Sequence, residues 1–130
     1  MAHAIQSAFD AGARRVVVIG TDVPACGHEH VKTALRALDH HDVVLGPTHD
    51  GGYYLIALDR PRPALFQSIP WSTPSVLPAT AERAGVLGLT VLILDPLRDV
   101  DTLEDVRAER ARLDVLLPPG VAAALRAAGL

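Results

Sequence analysis

The sequence has few of the features that mark secreted, disulfide-linked or membrane-spanning proteins. Cys26 is the only cysteine among 130 residues, so the chain cannot form an internal disulfide bond, and a reducing cytoplasm is the expected compartment. No apolar run approaches the ~20 residues that are needed to span a bilayer. The first residues, MAHAIQS, have neither the basic start nor the long apolar core of a signal peptide. We therefore expect a cytoplasmic protein without a membrane span.

Several binding and catalytic classes also lack support in the sequence. The net charge of −3 offers no basic surface for a nucleic acid or for an anionic membrane, so no nucleic-acid partner is expected. The glycine-rich P-loop of nucleotide triphosphatases and the serine elbow of hydrolases are both absent. His28 and His30 lie near Cys26, but no second pair of histidines or cysteines has the spacing of a zinc site.

The apolar residues predict one α/β domain. Hydrophobic residues make up 49% of the chain, and its length predicts a single domain over residues 1–130. Helix-like periodicity and continuous apolar runs alternate along the chain, which predicts an α/β sheet with largely parallel pairing. The second and third strands are candidates for an antiparallel pair. The predicted strands are 15–20, 42–46, 53–58 and 89–94, the first two buried on both faces, and the predicted helices are 4–11, 28–39, 74–84, 102–116 and 121–130.

Carboxylates follow the apolar runs at three places. Asp22 follows the first predicted strand, Asp50 the second, and Asp99 with Asp101 the last. In open α/β sheets, ligands bind beyond the carboxyl ends of the strands. Carboxylate oxygens are the ligands that Mg²⁺ and Mn²⁺ prefer. These loops are therefore candidates for one site that binds a divalent cation and a nucleotide.

Each acidic loop also has a purely structural interpretation. Asp22, taken alone, fits a turn or a helix cap better than a metal ligand. The Asp50-Gly51-Gly52 segment fits a hairpin turn as well as it fits a backbone that approaches a ligand. The segment 99–105 (DVDTLED) matches a capping box, formed either by residues 101 and 104 or by residues 102 and 105. In that segment, one of the first two aspartates would reach a metal while the other caps the helix.

The segment 71–73 contains the only tryptophan. Trp71 is either a core anchor or a contact for an acceptor molecule at the mouth of the site. Thr73 is predicted to cap the helix that Pro74 begins. For a general base, only position along the chain selects candidates, and these are His49 and Asp50.

Four motifs occur together in an order that resembles one bacterial family. They are GTDVP at 20–24, LGPTHDGGYYL at 45–55, WST at 71–73 and DVDTLED at 99–105. The chain resembles the glycosyltransferase-A-like family of radical-SAM-associated transferases (DUF2064) over roughly residues 1–115. That family is related to the nucleotidyltransferases that make molybdenum-cofactor dinucleotides and to the phospholactate guanylyltransferases.

The resemblance implies a fold, a reaction and a set of site residues. The fold would be a partial nucleotide-diphospho-sugar transferase sheet of the GT-A, Rossmann-like type with flanking helices. The reaction would be a transfer from a nucleotide-sugar donor to a small-molecule acceptor, dependent on Mg²⁺ or Mn²⁺. The alternatives are a nucleotidyltransferase that acts on a phosphorylated small molecule, and a truncated remnant that binds without turnover. The implied residues are Asp22 and Asp50 for catalysis, Asp22, Asp99 and Asp101 for the metal, and Gly51, Gly52, Tyr53, Trp71, Ser72 and Thr73 for substrate.

The chain departs from the family pattern at its beginning. Family members begin with a strand and a basic, glycine-containing loop that grips the nucleotide, and about the first third of that expected domain does not occur in this sequence. The expected unit is therefore a single GT-A-like domain without its usual N-terminal nucleotide-binding strand and loop. Because such a sheet would expose a strand edge that invites pairing with another chain, we expect the chain to form a homodimer or to be poorly soluble.

Overall fold

The computed structural model describes residues 1–130 and contains a four-stranded sheet with helices on both faces. This mixed α/β architecture confirms the predicted fold class. None of the helices combines the length and the apolarity that crossing a bilayer requires. In chain order the elements are α1 (Ala2–Asp10), β1 (Val16–Ile19), α2 (His28–Ala37), β2 (Val43–Pro47), β3 (Tyr53–Leu58), a 3₁₀ turn (Pro63–Phe66), α3 (Val76–Val86), β4 (Val91–Ile93), α4 (Leu103–Ala108), α5 (Arg110–Leu116) and α6 (Pro119–Ala127).

The order of the strands in the sheet is β1-β3-β2-β4. β3 pairs antiparallel with both β1 and β2, and only β2 and β4 pair in parallel. The prediction of largely parallel pairing is therefore wrong, whereas the antiparallel pair of the second and third strands is confirmed. The physical reason is the short turn between β2 and β3, in which the Thr48 amide donates to the Gly52 carbonyl, because a parallel connection needs a much longer crossover. β1, β2 and β4 nevertheless all run in the same direction, so their carboxyl ends meet at one edge of the sheet.

Alternate residues of the central strands pack into two separate cores. On one face, β2 and β3 contact α1, α3 and the 3₁₀ turn, and on the other face they contact α2. This division follows from the alternation of side chains along a strand. The first core includes Ile5, Val43, Leu45, Ile56, Leu58 and Ala84, and the second includes Ala34, Val44, Leu55 and Ala57.

β1 differs from the buried strand that its apolar run predicts. Val16, Val17 and Val18 are only half-buried, and Ile19 is 46% exposed. The reason is position, because β1 lies at the edge of the sheet and pairs only with β3. A free strand edge of this kind is the feature on which the predicted homodimer depends, and the homodimer itself stays a prediction.

Two helices differ from the prediction in their cap or in their continuity, beyond shifts of one to three residues at the ends of the helices. Helix α3 begins at Val76 with Ser75 in the capping position, so Thr73 is not its N-cap. Instead, the Thr73 hydroxyl donates to the Pro70 carbonyl at 2.6 Å and accepts from the Ser75 amide, which ties it to the preceding loop. The predicted helix 102–116 is divided into α4 and α5 at Glu109, whose backbone leaves the helical conformation at ψ 9°.

Arg62 joins three elements at the end of the sheet that is remote from the acidic loops. Its Nη2 atom donates to Asp42, just before β2, and to Asp59, just after β3, at 2.7 and 2.8 Å. Asp42 in turn accepts from the amide and the hydroxyl of Thr90, just before β4. These two hydrogen bonds are the main reason that the pKa of Asp42 is lowered, and the charge of Arg62 adds to the effect.

Replacement of Arg62 by Met should lower the free energy of unfolding by about 1–3 kcal/mol, because it leaves two partly buried carboxylates without their shared cation. Urea denaturation measures this loss. The matched control is Arg60→Met, because Arg60 also pairs with Asp59 but is 68% exposed, and an exposed pair contributes at most about 1 kcal/mol. Equal losses in the two variants would contradict the role of Arg62.

Candidate functional site

Backbone pairing beyond the strands brings the acidic loops together. The Leu97 amide donates to the Pro47 carbonyl at 3.0 Å, and Thr48 and Leu97 form a parallel bridge that extends the pairing of β2 with β4. The Val100 amide donates to the Asp22 carbonyl at 2.9 Å, which ties the loop after β1 to the loop after β4. The loops that follow β1, β2 and β4 therefore meet at one edge of the sheet, as the sequence predicts.

Three carboxylates form a cluster at this edge. Asp50, Asp99 and Asp101 each have a carboxylate oxygen within 4.8 Å of the other two. Burial is the main cause of the raised pKa of Asp99, and the negative charges of Asp50 and Asp101 raise it further. A divalent cation would relieve this repulsion, and oxygen atoms from carboxylates suit Mg²⁺ and Mn²⁺. We call Asp50, Asp99 and Asp101 the carboxylate cluster.

Asp50 is held by two donors from its own turn. The Thr48 hydroxyl donates to Oδ1 of Asp50 at 2.5 Å, and the Gly52 amide donates to the same atom at 3.0 Å. The pKa of Asp50 is lowered chiefly by the hydrogen bond from Thr48 and next by the bond from Gly52. This Asx-type turn therefore fixes the side chain and keeps it ionised.

Thr102 and Asp105, not Asp99 or Asp101, form the capping box of helix α4. The Thr102 hydroxyl accepts from the Asp105 amide, and Asp105 Oδ2 accepts from the Thr102 amide at 3.0 Å. The Asp105 carboxylate also pairs with Arg98 at 3.0 Å. The Thr102 hydroxyl and the Arg98 guanidinium together lower the pKa of Asp105 to about 2. Both Asp99 and Asp101 are therefore left to the carboxylate cluster, rather than one of them acting as a cap.

A cleft of about 590 Å³ borders the carboxylate cluster. Asp22 lines this cleft but lies outside the cluster, whereas Asp99 belongs to the cluster but does not line the cleft. No lysine or arginine is among the lining residues. Of the residues selected from the sequence, those in the lining are Asp22, Asp50, Gly52, Tyr53, Trp71, Ser72, Thr73 and Asp101.

Gly51 supports the site without lining the cleft. Its φ is +93°, and a Cβ atom there would lie 2.1 Å from the Pro74 carbonyl oxygen. The Gly51 carbonyl accepts from the Leu77 amide at 2.9 Å, so this glycine attaches the turn directly to the start of α3. Its close packing, rather than ligand contact, accounts for the requirement for glycine at this position.

The two tyrosines lie on opposite faces of β3. Tyr53 lines the cleft, and its burial raises the pKa of the phenol to about 12, so the hydroxyl stays neutral near pH 7. Tyr54 is buried, and its hydroxyl donates to the Asp95 carbonyl at 3.3 Å. Its ring occupies the space above Gly46, where a Cβ atom would lie 2.5 Å from the ring. Of the two tyrosines, only Tyr53 therefore lines the cleft, and its role in substrate binding stays a prediction.

Trp71 is an exposed wall of the cleft rather than a core anchor. Trp71 is 44% exposed, and its indole stacks on the ring of buried Phe66, with centroids 6.4 Å apart and an interplanar angle of 23°. The loop that carries it contains two non-glycine residues with positive φ, Ser68 at 59° and Ser72 at 61°. Such backbone conformations are costly and concentrate at functional sites.

Comparisons with known proteins bear on this arrangement. The model of a family described as "Uncharacterized protein conserved in bacteria (DUF2064)" matches residues 1–73. The chain belongs to the DUF2064 family. The solved structure of a "putative nucleotide-diphospho-sugar transferase" from Desulfovibrio desulfuricans G20 is 40% identical to it, with a TM-score of 0.81. That match covers 87% of this chain and 50% of the solved chain, so the sequence spans about half the length of this relative. No curated protein matches the chain.

These findings confirm the resemblance and the fold of the DUF2064 chain. The family and the nucleotide-diphospho-sugar transferase type of sheet are those that the four motifs predicted. The metal, the donor and the roles of individual site residues stay predictions.

The structure of this DUF2064 protein adds site residues that the sequence analysis did not select. Thr48 holds Asp50, and its position two residues before an aspartate in a turn is a local signal for such a contact. Met1, Pro74 and Val76 also line the cleft, and no chemical motif marks them. His49, the other candidate for a general base, is exposed and is not among the lining residues.

Proposed function

We propose that this DUF2064 protein is a metal-dependent glycosyltransferase that uses a nucleotide-sugar donor and a small-molecule acceptor. The observation that carries the proposal is the carboxylate cluster at the carboxyl ends of parallel-running strands, beside a cleft of about 590 Å³. The description of the D. desulfuricans relative as a nucleotide-diphospho-sugar transferase supports the class of donor.

The charges of the site explain why binding should need a metal. The lining of the cleft contains Asp22, Asp50 and Asp101 and no basic residue, so a diphosphate alone would be repelled. Mg²⁺ or Mn²⁺, held by the carboxylate cluster, would neutralise the charge that develops on the departing nucleotide. Asp22 adds to the negative field that attracts the cation.

The protein side chains have separable roles in this mechanism. Thr48 and Gly52 keep Asp50 ionised and fixed as a ligand. The phenol of Tyr53 donates to the sulfur of Met1, another lining residue, at 3.6 Å, and it could exchange this weak bond for one to the substrate. Asp22 lines the cleft and is exposed, so it is our candidate for the general base that accepts a proton from the acceptor hydroxyl.

The melting temperature should rise with one nucleotide sugar, and only when Mn²⁺ is present. A donor at about 100 times its Kd stabilises a protein by about 2.7 kcal/mol, which corresponds to roughly 10 °C for a domain of this size. The experiment is a thermal titration with UDP-sugars, GDP-sugars, GTP and CTP, each with and without Mn²⁺. A response to GTP or CTP alone would favour the nucleotidyltransferase alternative. A flat response across the panel, from protein shown to be folded, would contradict the proposal and favour a remnant without turnover.

A further inference from the structure

The cleft contains an aromatic surface that the carboxylate cluster does not use. Trp71 lines the cleft and is exposed, and its indole stacks on the ring of Phe66, which is buried in the core. Phe66 is buried against the first core of the sheet, so the stack fixes the indole to the rigid part of the fold. The indole therefore provides a flat apolar surface in a fixed position, as ligand-binding aromatics do.

The loop around the indole is held in a strained conformation. Ser68 and Ser72 both have positive φ, which costs about 1 kcal/mol or more at each residue. Two hydrogen bonds maintain this shape: the Trp71 amide donates to Ile69 at 2.9 Å, and the Thr73 hydroxyl donates to Pro70 at 2.6 Å. The loop thus holds the exposed Trp71 in place although its backbone is strained at Ser68 and Ser72.

The polar groups that line the same cleft as the indole restrict the chemistry of the ligand. Ionised carboxylates only accept hydrogen bonds, so Asp22 and Asp101 require a ligand that donates them. Ser72 adds a hydroxyl that can donate or accept. The absence of lysine and arginine from the lining disfavours a free anion as the ligand. A ring that carries several hydroxyl groups and an apolar C–H face satisfies both the carboxylates and the indole.

We infer that Trp71, with the carboxylate of Asp22, binds the acceptor of the transfer reaction, and that this acceptor is a neutral, polyhydroxylated, sugar-like ring. The ring stacks on Trp71 with its C–H face while its hydroxyl groups donate to the carboxylate. That the ring is the acceptor of a transfer rests on the proposed function. Binding of the ring to Trp71 requires neither the donor nor the metal.

The tryptophan provides its own probe, because it is the only one in the chain. Titration with methyl α-D-glucopyranoside, methyl α-D-mannopyranoside, methyl α-D-galactopyranoside and myo-inositol, without nucleotide or metal, should give a saturable blue shift of the emission with at least one of them. No saturable shift with any probe, from protein that is folded by circular dichroism, would overturn the inference. If a glycoside shifts the emission but no nucleotide or nucleotide sugar raises the melting temperature, the inference stands and the proposed transferase is refuted. The two failures are therefore distinguishable.

Two variants test whether the aromatic surface itself binds the ring. By saturation-transfer NMR, Trp71→Phe should keep the affinity within about threefold, whereas Trp71→Leu should lose tenfold or more, because only the first retains an aromatic face. Val115→Ala removes an exposed apolar side chain on α5, outside the cleft, and should change nothing. Equal binding by the Phe and Leu variants would overturn the role of the indole.

One further comparison separates a neutral ring from a cationic one. Glucosamine should bind no more tightly than the neutral glycosides, and 0.5 M NaCl should leave their affinity unchanged. Binding of glucosamine alone, abolished by that salt, would overturn the assignment of a neutral ligand, because it would identify an ammonium ion paired with the carboxylates.

Discussion

Asp50→Asn should weaken Mn²⁺ binding by about 100-fold or more. The substitution removes one of the three negative charges of the carboxylate cluster and replaces a carboxylate oxygen by an amide group, which is a poor ligand for a hard cation. Asparagine has the same shape, and its carbonyl oxygen can still accept from the Thr48 hydroxyl and the Gly52 amide, so the turn should persist. Titration of Mn²⁺ by electron paramagnetic resonance measures the loss.

Two matched variants make this result decisive. Asp10→Asn removes an exposed carboxylate from α1, away from the cleft, and should leave Mn²⁺ binding unchanged. Asp22→Asn should weaken it by only a few-fold, since Asp22 lines the cleft but lies outside the carboxylate cluster. A larger loss for Asp22→Asn than for Asp50→Asn would restore Asp22 as the main ligand, as the family motif implied.

Gly51→Ala should destabilise the fold by about 3 kcal/mol or more, or prevent folding. The new Cβ atom would lie 2.1 Å from the Pro74 carbonyl oxygen, and the contacted atoms belong to the backbone, which cannot rotate away as a side chain does. The residue would also hold a positive φ of +93° that alanine adopts at a cost of its own. Urea denaturation, or the yield of folded protein, measures the effect.

Gly88→Ala separates the two causes of this loss. Gly88 also has a positive φ, +68°, but no atom lies within 4 Å of the position that its Cβ would occupy. The Gly88→Ala substitution should therefore lower the free energy of unfolding by about 1 kcal/mol, which is the contribution of the backbone conformation alone. If Gly51→Ala cost no more than Gly88→Ala, the close packing of the turn on Pro74 would not be a determinant of stability.

The positions of the strands along the chain could be predicted from the local sequence, but the strands with which each one pairs in the sheet could not. Runs of β-branched residues locate β1 and β2 because burial of consecutive apolar side chains is a local requirement. Whether a strand lies at the centre or at the edge depends on which partners it meets, and β1 shows the consequence: its run of three valines resembles a central strand, yet only β3 covers it. The same limit explains the wrong expectation of parallel pairing.

The site shows a similar division. The sequence indicates that Asp50, Asp99 and Asp101 follow strands, and therefore that they gather at one edge of the sheet. It does not indicate the distances between carboxylates that follow different strands, so it selects Asp22, Asp99 and Asp101 as metal ligands on the same grounds, and the role of each stays a prediction. The prediction that Thr73 caps α3 is wrong for a related reason. Its hydroxyl donates to the Pro70 carbonyl, and this contact exists only in the folded loop.

The carboxylate cluster draws its members from distant parts of the chain. Asp50 belongs to the hairpin between β2 and β3, whereas Asp99 and Asp101 begin the C-terminal segment, 49 residues further on. An ion that bridges them would act as a reversible cross-link of the folded state and would stabilise that state by its binding free energy, whereas a disulfide also constrains the unfolded chain. The protein has no disulfide to provide such a constraint, since it has a single thiol. The free concentration of the cation would then set how firmly the last quarter of the chain is attached to the sheet.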